Sequence, residues 1–262
     1  MPFFQQSRQL QQISRQARLD LLDLLYHSGA SHFAGPLSSM DVLVSLYFSD
    51  IFNLKKDKFI LSAGHLAPAL YVVLANANYF PKSKLKEFST FDSYLQGHVS
   101  TQVPGVNYSS GSLGQGLSFA AGLALGDKNK KIITLTTDGE HQEGQIWECL
   151  PFASKYKLSN LINIIDLNGY QIDGATKDIM PLGNLSNKYL GYGWQVITVD
   201  GHNHKQILKA LEKAKESDSQ PTCIIAQTTF AKGIPSIEND YRYHDYKNLS
   251  ETLYQKFKEQ LL

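Results

Sequence analysis

The stretch KIITLTTDGEHQEG, residues 131–144, decides the fold. It begins with an apolar, β-rich run at 131–136 and passes directly into polar residues. Three later runs have the same character: LINIID at 161–166, QVITV at 195–199 and TCIIAQT at 222–228. Helices are predicted between them at about 141–157 and 203–217. Strands that alternate with helices indicate crossover connections, so we expect an α/β fold with a mostly parallel central sheet flanked by helices.

The residues before this stretch are predicted to be mainly helical. Apolar positions at helical spacing predict a helix over 8–27, because they recur every three or four residues. Further elements are expected as a helix at 40–48, a strand at 58–62, a helix at 66–78 and a Gly/Ala/Leu-rich helix at 111–126. We therefore interpret 1–262 as a single domain, with 1–57 as a helical and loop segment packed on it.

Composition excludes several classes of protein. The 262 residues are 42% hydrophobic and 19% charged, as in ordinary globular proteins. The net charge of +1 argues against nucleic acid or an anionic membrane as a partner. Cys149 and Cys223 lack metal-ligand spacing, and so few cysteines favour a reducing compartment. No signal peptide and no membrane-spanning run is recognisable, so we expect a cytoplasmic protein.

Two polar residues follow neighbouring strands of the predicted sheet. Asp138 comes after the first run and Asn168 after the second. Ligands bind at the carboxyl ends of strands in such sheets. A magnesium ion prefers six oxygen ligands, and a carboxylate, an amide and a main-chain carbonyl supply three, leaving the rest to phosphates and water. The alternative interpretation is that Asp138-Gly139 and Asn168-Gly169 are ordinary turns, since these residues are frequent turn formers.

Six of the eight histidines fall into two groups by context. Four lie in or beside loops that contain Gly or Ser, and imidazole suits proton transfer because its ordinary pKa is near 6.5; they are His32, His65, His98 and His244. His202 and His204 lie in a polar loop before a predicted helix, so we expect them to cap that helix or to be solvated.

A series of short motifs occurs in a fixed order along the chain. It comprises GSLGQG at 111–116, DGE at 138–140, Glu143-Gly144, Glu148, NLI at 160–162, the segment 166–174 and DGH at 200–202. From about residue 8 to residue 246 the chain resembles transketolase, in particular the short N-terminal subunit of transketolases split over two chains. The resemblance implies the thiamine diphosphate-binding fold, of the type that holds the diphosphate.

The resemblance also implies roles for individual residues around thiamine diphosphate. Asp138, Asn168 and the carbonyl of Tyr170 would ligate Mg²⁺, or Ca²⁺ or Mn²⁺ in its place. The other residues expected to bind the cofactor are His65, Gly111, Ser112, Leu113, Gly139, Glu140 and Ile172. Gly139 and His65 would contact the diphosphate, at a helix N-terminus that favours anions. Glu143 and Glu148 would join a chain of carboxylates at a dimer interface.

The activity implied is transfer of a two-carbon ketol unit from a ketose to an aldose. His32, His98 and His244 would line the substrate channel. The glutamate that activates the cofactor in this family lies in a second, pyrimidine-binding domain, for which 262 residues leave no room. We therefore expect a chain that is inactive alone and works with a C-terminal partner subunit, as an α2β2 assembly, on sugars or sugar phosphates.

Several positions depart from the family pattern. Thr137 and Asp245 stand where glycine is usual, Phe33-Ala34 replaces Pro-Gly, and Ser89 stands where arginine is frequent. These changes fall around the substrate channel, so the donor and acceptor sugars remain open. Two alternatives also remain: the α chain of another thiamine diphosphate enzyme that acts on a 2-oxo acid, and a non-catalytic thiamine-binding partner subunit.

Overall fold

A five-stranded sheet with every strand parallel forms the centre of the protein, in the order β1-β2-β3-β7-β6. A short antiparallel pair, β4-β5, lies outside it. The computed structural model describes residues 3–262. Along the chain the strands are β1 Lys58–Leu61, β2 Ile132–Thr137, β3 Leu161–Leu167, β4 Tyr170–Gln171, β5 Gly174–Ala175, β6 Gln195–Asp200 and β7 Thr222–Gln227. The predicted mostly parallel sheet is confirmed.

The helices cover both faces of this sheet. In chain order they are α1 Phe3–Ser28, α2 Ala34–Ser38, α3 Met40–Phe48, α4 Ala67–Asn76, α5 Gln115–Gly126, α6 Gly144–Lys155, α7 Thr176–Ile179, α8 Leu185–Gly191, α9 His204–Lys215 and α10 Glu251–Leu261. The helix α1 packs against α3, α4, α9 and α10, while α5 packs against α6. No helix within residues 3–262 combines the length and the apolar character needed to cross a membrane.

Burial on both faces explains why the strands are apolar throughout. Every residue of β2 is buried, and so are the first six of β3. Alternate side chains enter different cores, because successive residues of a strand point to opposite faces. Ile133 and Leu135 join the core beneath α1, α3 and α4, whereas Ile132 joins the core beneath α5 and α6. Continuous apolar runs are therefore what a covered parallel sheet requires.

Two helices begin later than predicted. The helix predicted from 111 begins at Gln115, because Gly114 adopts a left-handed φ of 80° and ends a loop. That turn also needs glycine for space, since a Cβ there would lie 2.7 Å from the Glu143 Cβ. The segment Gly139–Gln142 is a 3-10 helix and α6 begins only at Gly144. A helix N-terminus does lie at Gly139, as expected, but it begins this 3-10 helix and not α6.

A buried ionic network joins α1, α3 and α9. Arg18 donates two hydrogen bonds to Asp41, at 3.0 and 2.7 Å, and His202 Nδ1 lies 2.8 Å from the same carboxylate. His204 is 4% exposed and its Nδ1 lies 2.7 Å from the Ser45 hydroxyl. The expectation that His202 and His204 would be capping or solvated was wrong, because both turn inward toward a buried carboxylate.

Replacing Asp41→Asn should destabilise the protein by about 3–5 kcal/mol, because it leaves the Arg18 charge buried without its partner. Burial raises the pKa of Asp41, but Arg18 and the hydrogen bonds from His202 and Arg18 outweigh it and hold that pKa well below its usual range. The network therefore stabilises the fold above about pH 4 and loses its contribution as the pH falls further. Urea unfolding at pH 7 and pH 3 measures both effects. The exposed Asp218→Asn is the matched control, and equal unfolding free energies for the two variants would contradict the assignment.

Candidate functional site

Asp138 occupies the carboxyl edge of the sheet, one residue beyond β2. Its Oδ2 accepts hydrogen bonds from the Gly169 N–H at 2.9 Å and the Thr176 hydroxyl at 3.0 Å. The residue is 1% exposed, and Oδ1 is buried without a hydrogen-bond partner anywhere in residues 3–262. Burial, with a smaller contribution from the Asp166 carboxylate, raises the pKa of Asp138 to about 7. Burying a carboxylate oxygen without a hydrogen-bond partner costs free energy, so Oδ1 is a candidate ligand atom for a bound cation.

Asp166, the penultimate residue of β3, orients the second predicted ligand. Its carboxylate accepts hydrogen bonds from the Ser38 hydroxyl at 2.6 Å, from the Thr228 hydroxyl, and from the Asn168 amide nitrogen at 3.1 Å. With the amide nitrogen held in this way, the Asn168 oxygen faces the other side, where it accepts the Tyr170 N–H at 2.9 Å. The parallel pairing of Thr137 with Asp166 places this strand end beside that of β2.

The donor set fits a divalent cation that prefers oxygen. Asp138 offers an unpaired carboxylate oxygen, and Asn168 offers an amide oxygen one residue beyond the neighbouring strand. Carboxylate, amide and carbonyl oxygens are the usual protein ligands of Mg²⁺ and Ca²⁺. Residues 3–262 contain no group of three His, Cys, Asp or Glu placed to hold a metal. Of the three predicted metal ligands, only Asp138 is a residue of these types. The set therefore fits an ion that takes further oxygen ligands from a bound anion.

Two cavities adjoin this edge. The smaller, of ≈ 210 Å³, is lined by nine of the residues predicted for the site: His65, Leu113, Gly139, Glu140, Glu143, Asn168, Tyr170, Ile172 and His244. Asp138 lines the larger neighbouring cavity of ≈ 710 Å³, and Tyr170 lines both. Five predicted residues line neither of these two cavities: His32, His98, Gly111, Ser112 and Glu148.

Glu140 supports the wall of the smaller cavity from within. It is fully buried and accepts hydrogen bonds from the Ser62 hydroxyl, from the Gly114 N–H at 2.7 Å and from the Thr137 N–H at 3.4 Å. Burial raises its pKa to about 7. Its carboxylate thus ties the end of β1 and the loop before α5 to the end of β2. In return, the Thr137 hydroxyl accepts the Glu140 N–H at 3.3 Å.

Replacing Thr137→Gly should lower the free energy of unfolding by about 1–2 kcal/mol, because it removes a capping hydroxyl and adds backbone freedom. Binding of thiamine diphosphate should change by no more than about threefold, since the hydroxyl is already used within the chain. Denaturant unfolding and a cofactor titration measure the two effects. Thr137→Ser keeps the hydroxyl and is the control. A large gain or loss of cofactor affinity in Thr137→Gly alone would show that Thr137 contacts the cofactor.

Four histidines from separate segments form a cluster beside the cavity. The ring centroid of His32 lies 6.0 Å from that of His65 and 5.2 Å from that of His98, and the His65 and His244 centroids lie 5.7 Å apart. Burial, reinforced by the neighbouring imidazoles, lowers the pKa of His65 to about 3. Burial also lowers the pKa of His32 and of His244. These three rings are therefore neutral near pH 7, and each can donate one hydrogen bond and accept another.

Other residues of the site carried no clear sequence signal. Phe230 lines the smaller cavity and stacks on Tyr170 at 5.3 Å and on His244 at 6.0 Å. Thr176, the first residue of α7, donates a hydrogen bond to Asp138. Asp166 could have been found, because it is the last residue of the apolar run 161–166, much as Asp138 follows the run 131–136. Phe230 and Thr176 could not, because only tertiary packing brings them to the strand ends.

Residues 10–261 match the thiamine diphosphate-binding domain of transketolase. The chain belongs to the transketolase family. The match extends beyond residue 246, where the resemblance recognised in the sequence ended, and it confirms the predicted family and the predicted class of enzyme, a transketolase-type transferase.

Short subunits are among the relatives of this transketolase-family chain. One subunit of the apulose-4-phosphate transketolase of Phocaeicola vulgatus is 33% identical over 243 residues, which cover 88% of this chain and 86% of that one. A 6-deoxy-6-sulfo-D-fructose transketolase subunit of a Clostridium species is 38% identical over 235 residues, covering 85% and 86%. The predicted resemblance to the N-terminal subunit of split transketolases is thus confirmed.

Undivided transketolases are matched over less than half their length. Human transketolase is 32% identical in an alignment 279 residues long, gaps included, that covers 99% of this chain and 44% of that one. The crystal structure of the Campylobacter jejuni transketolase superposes with a TM-score of 0.87 at 31% identity, covering 96% of this chain and 42% of that one. The fold described above is therefore that of one part of a transketolase.

Proposed function

We propose that this chain is the N-terminal, diphosphate-binding subunit of a split transketolase. With a partner that carries the pyrimidine-binding domain, it transfers a two-carbon ketol unit from a ketose to an aldose. The observation that carries the proposal is the unpaired, buried Asp138 Oδ1 beside Asn168, in a chain that matches transketolase subunits over most of its length. We assign 1–262 to a single domain, with 1–57 packed on it, in the cytoplasm.

In this proposal Asp138, Asn168 and the Tyr170 carbonyl hold Mg²⁺, or Ca²⁺ or Mn²⁺, against the diphosphate of thiamine diphosphate. Once bound, the cofactor supplies the electron sink that C–C cleavage beside a carbonyl needs. The chain itself holds the groups around the cofactor in position. Asp166 holds the Asn168 amide in one orientation, and Glu140 holds the loop before α5 in place. Such supporting contacts fix the direction in which metal ligands point.

The histidine cluster provides the proton-handling groups of the proposed channel. His65 and His244 line the cavity, and His32 and His98 extend the cluster toward solvent. Because His32, His65 and His244 are neutral near pH 7, they can exchange protons with sugar hydroxyls without first losing a charge. A cluster of imidazoles suits a polyhydroxylated substrate better than a 2-oxo acid, and this favours ketol transfer over the 2-oxo acid alternative.

An exposed apolar surface on α5 and α6 supports the proposed assembly. Phe119 of α5 is 41% exposed and Tyr156, at the end of α6, is 42% exposed. Leu125 and Phe152 are nearly as open, and Glu148 projects from α6 into solvent. Large apolar side chains grouped on adjacent helices typically mark a protein interface. We assign this surface to the α2β2 contact, where Glu143 and Glu148 would meet the carboxylates of other subunits.

Co-expression with the pyrimidine-domain partner tests the function. The complex, supplied with thiamine diphosphate and Mg²⁺, is assayed with ketose–aldose pairs, with and without phosphate groups. Ketol transfer supports the proposal. Pyruvate consumption without ketol transfer would replace it by the 2-oxo acid alternative, and a complex that binds thiamine diphosphate but turns over neither class would make this chain a non-catalytic subunit.

A further inference from the structure

The backbone fixes Asp245 beside two histidines of the cluster. The segment that contains it runs antiparallel to the segment that contains His32, and the two residues pair directly. The Phe33 N–H donates to the His244 carbonyl at 3.1 Å, and the Tyr246 N–H donates to the Ser31 carbonyl at 2.9 Å. Because hydrogen bonds close this pairing on both sides of Asp245, the position of its Cα is set by the main chain.

The carboxylate of Asp245 is free to meet a ligand. Its Oδ1 lies 3.6 Å from His244 Nδ1 and 4.0 Å from His32 Nε2, both longer than a hydrogen bond. The Asp245 side chain is 41% exposed, against 13% for His244 and 20% for His32. The carboxylate therefore stands on the solvent side of the two imidazoles, one of which, His244, lines the smaller cavity.

Two carboxylates, Asp245 and Asp173, act on the imidazole of His244. Asp173 also lines the smaller cavity. The nearby Arg242 is held by Asp240 at 2.6 Å. The imidazoles of His32, His65 and His98 complete the cluster, and the exposed Lys247 follows two residues after Asp245. At pH 8 ordinary imidazole is already mostly neutral, so within the cluster the carboxylates carry the charge.

We propose that Asp245 is a specificity-determining residue, whose carboxylate accepts a hydrogen bond from a hydroxyl group of the sugar and disfavours sugars that place a phosphate or sulfonate there. The proposal rests on the proposed ketol-transfer function, since it concerns the substrates of that same site. A carboxylate discriminates in both directions: it is a strong acceptor for hydroxyl groups, and it repels a second anion brought to the same place.

The test is calorimetric binding of two aldoses that differ only in a terminal phosphate, D-ribose and D-ribose 5-phosphate. The complex with the partner subunit is loaded with thiamine diphosphate and Mg²⁺ at pH 8, and no ketose donor is present. Asp245→Asn should tighten binding of the phosphorylated aldose and weaken binding of the neutral one, changing the ratio of their affinities by about 5- to 10-fold. Asp245→Ser, which also lacks the charge, should change the ratio in the same direction.

The control is Asp218→Asn, which removes the same charge from an exposed residue beyond α9 and should leave the ratio unchanged. A ratio that stays within about twofold in both Asp245 variants overturns the specificity role, because removing a nearby charge must shift anion affinity.

Ketol transfer is measured on the same samples. Turnover with an unchanged ratio overturns only the role of Asp245. A changed ratio without turnover supports the role of Asp245 in sugar binding and contradicts the proposed ketol-transfer activity. Failure of the wild-type complex to bind either sugar overturns both.

Discussion

Replacing Asp138→Asn in the complex should reduce ketol transfer by about a thousand-fold, equivalent to about 4 kcal/mol of transition-state stabilisation. Asparagine keeps the shape of the side chain and an oxygen that can accept the Gly169 N–H and the Thr176 hydroxyl. It removes the negative charge that the proposed metal requires at Oδ1. Binding of thiamine diphosphate should lose its dependence on Mg²⁺, which a titration of the cofactor with and without the metal measures.

The fold should survive this change, and that separates a metal role from a structural one. A neutral amide costs less to bury than a carboxylate. The unfolding temperature of the variant without cofactor should therefore be no lower than that of the wild type. Asp218→Asn, near the opposite, amino ends of the strands, should retain full activity and full metal dependence. Full activity of Asp138→Asn would show that the metal ligand lies elsewhere.

The isolated chain, saturated with thiamine diphosphate and Mg²⁺, should show less than about one-thousandth of the ketol transfer rate of the complex with its partner. General acid–base groups contribute about 10²–10⁴ in rate, and the group that activates the cofactor is assigned to the partner. A coupled assay of the released aldose product, run on the chain, the partner and their mixture, measures the effect.

The surface on α5 and α6 offers a control for this prediction. Phe152→Asp places a charge on the exposed apolar patch and should reduce activity of the mixture by weakening assembly, because burying an unpaired charge is costly. Leu190→Asp is the control, because it places the same charge on another exposed apolar residue, on α8. This variant should assemble normally. Substantial turnover by the chain alone, with any sugar pair, would contradict the split site.

The sheet was predictable because covered parallel strands must be apolar throughout. The four runs at 131–136, 161–166, 195–199 and 222–228 each became a strand. Helix starts were less predictable. The segment 111–114 has helix-forming neighbours, yet the left-handed Gly114 delays α5, and no local pattern signals that turn. The pair β4-β5 has two residues in each strand, too few to show any periodicity.

The site was predictable where chemistry follows directly from strand position. Asp138 and Asn168 follow paired strands, and this alone brought them to one edge. The histidines were different, because their rings converge from four separate segments, and they were grouped by loop context and by the family resemblance, not by strand position. The observed burial also changed the interpretation of other residues predicted for the site. Glu140 emerged as an internal support, whereas Gly111 and Ser112 are exposed and lie outside the cavities.

The central claim is that this chain supplies the metal and diphosphate end of a shared thiamine site. It is tested most directly by electron–nuclear double resonance on the complex loaded with Mn²⁺ and thiamine diphosphate, with ¹³C-aspartate in this chain only. We predict a ³¹P coupling from the diphosphate together with a ¹³C coupling from the labelled chain, the latter lost in Asp138→Asn. A ¹³C coupling that appears only when the partner is labelled would contradict the account.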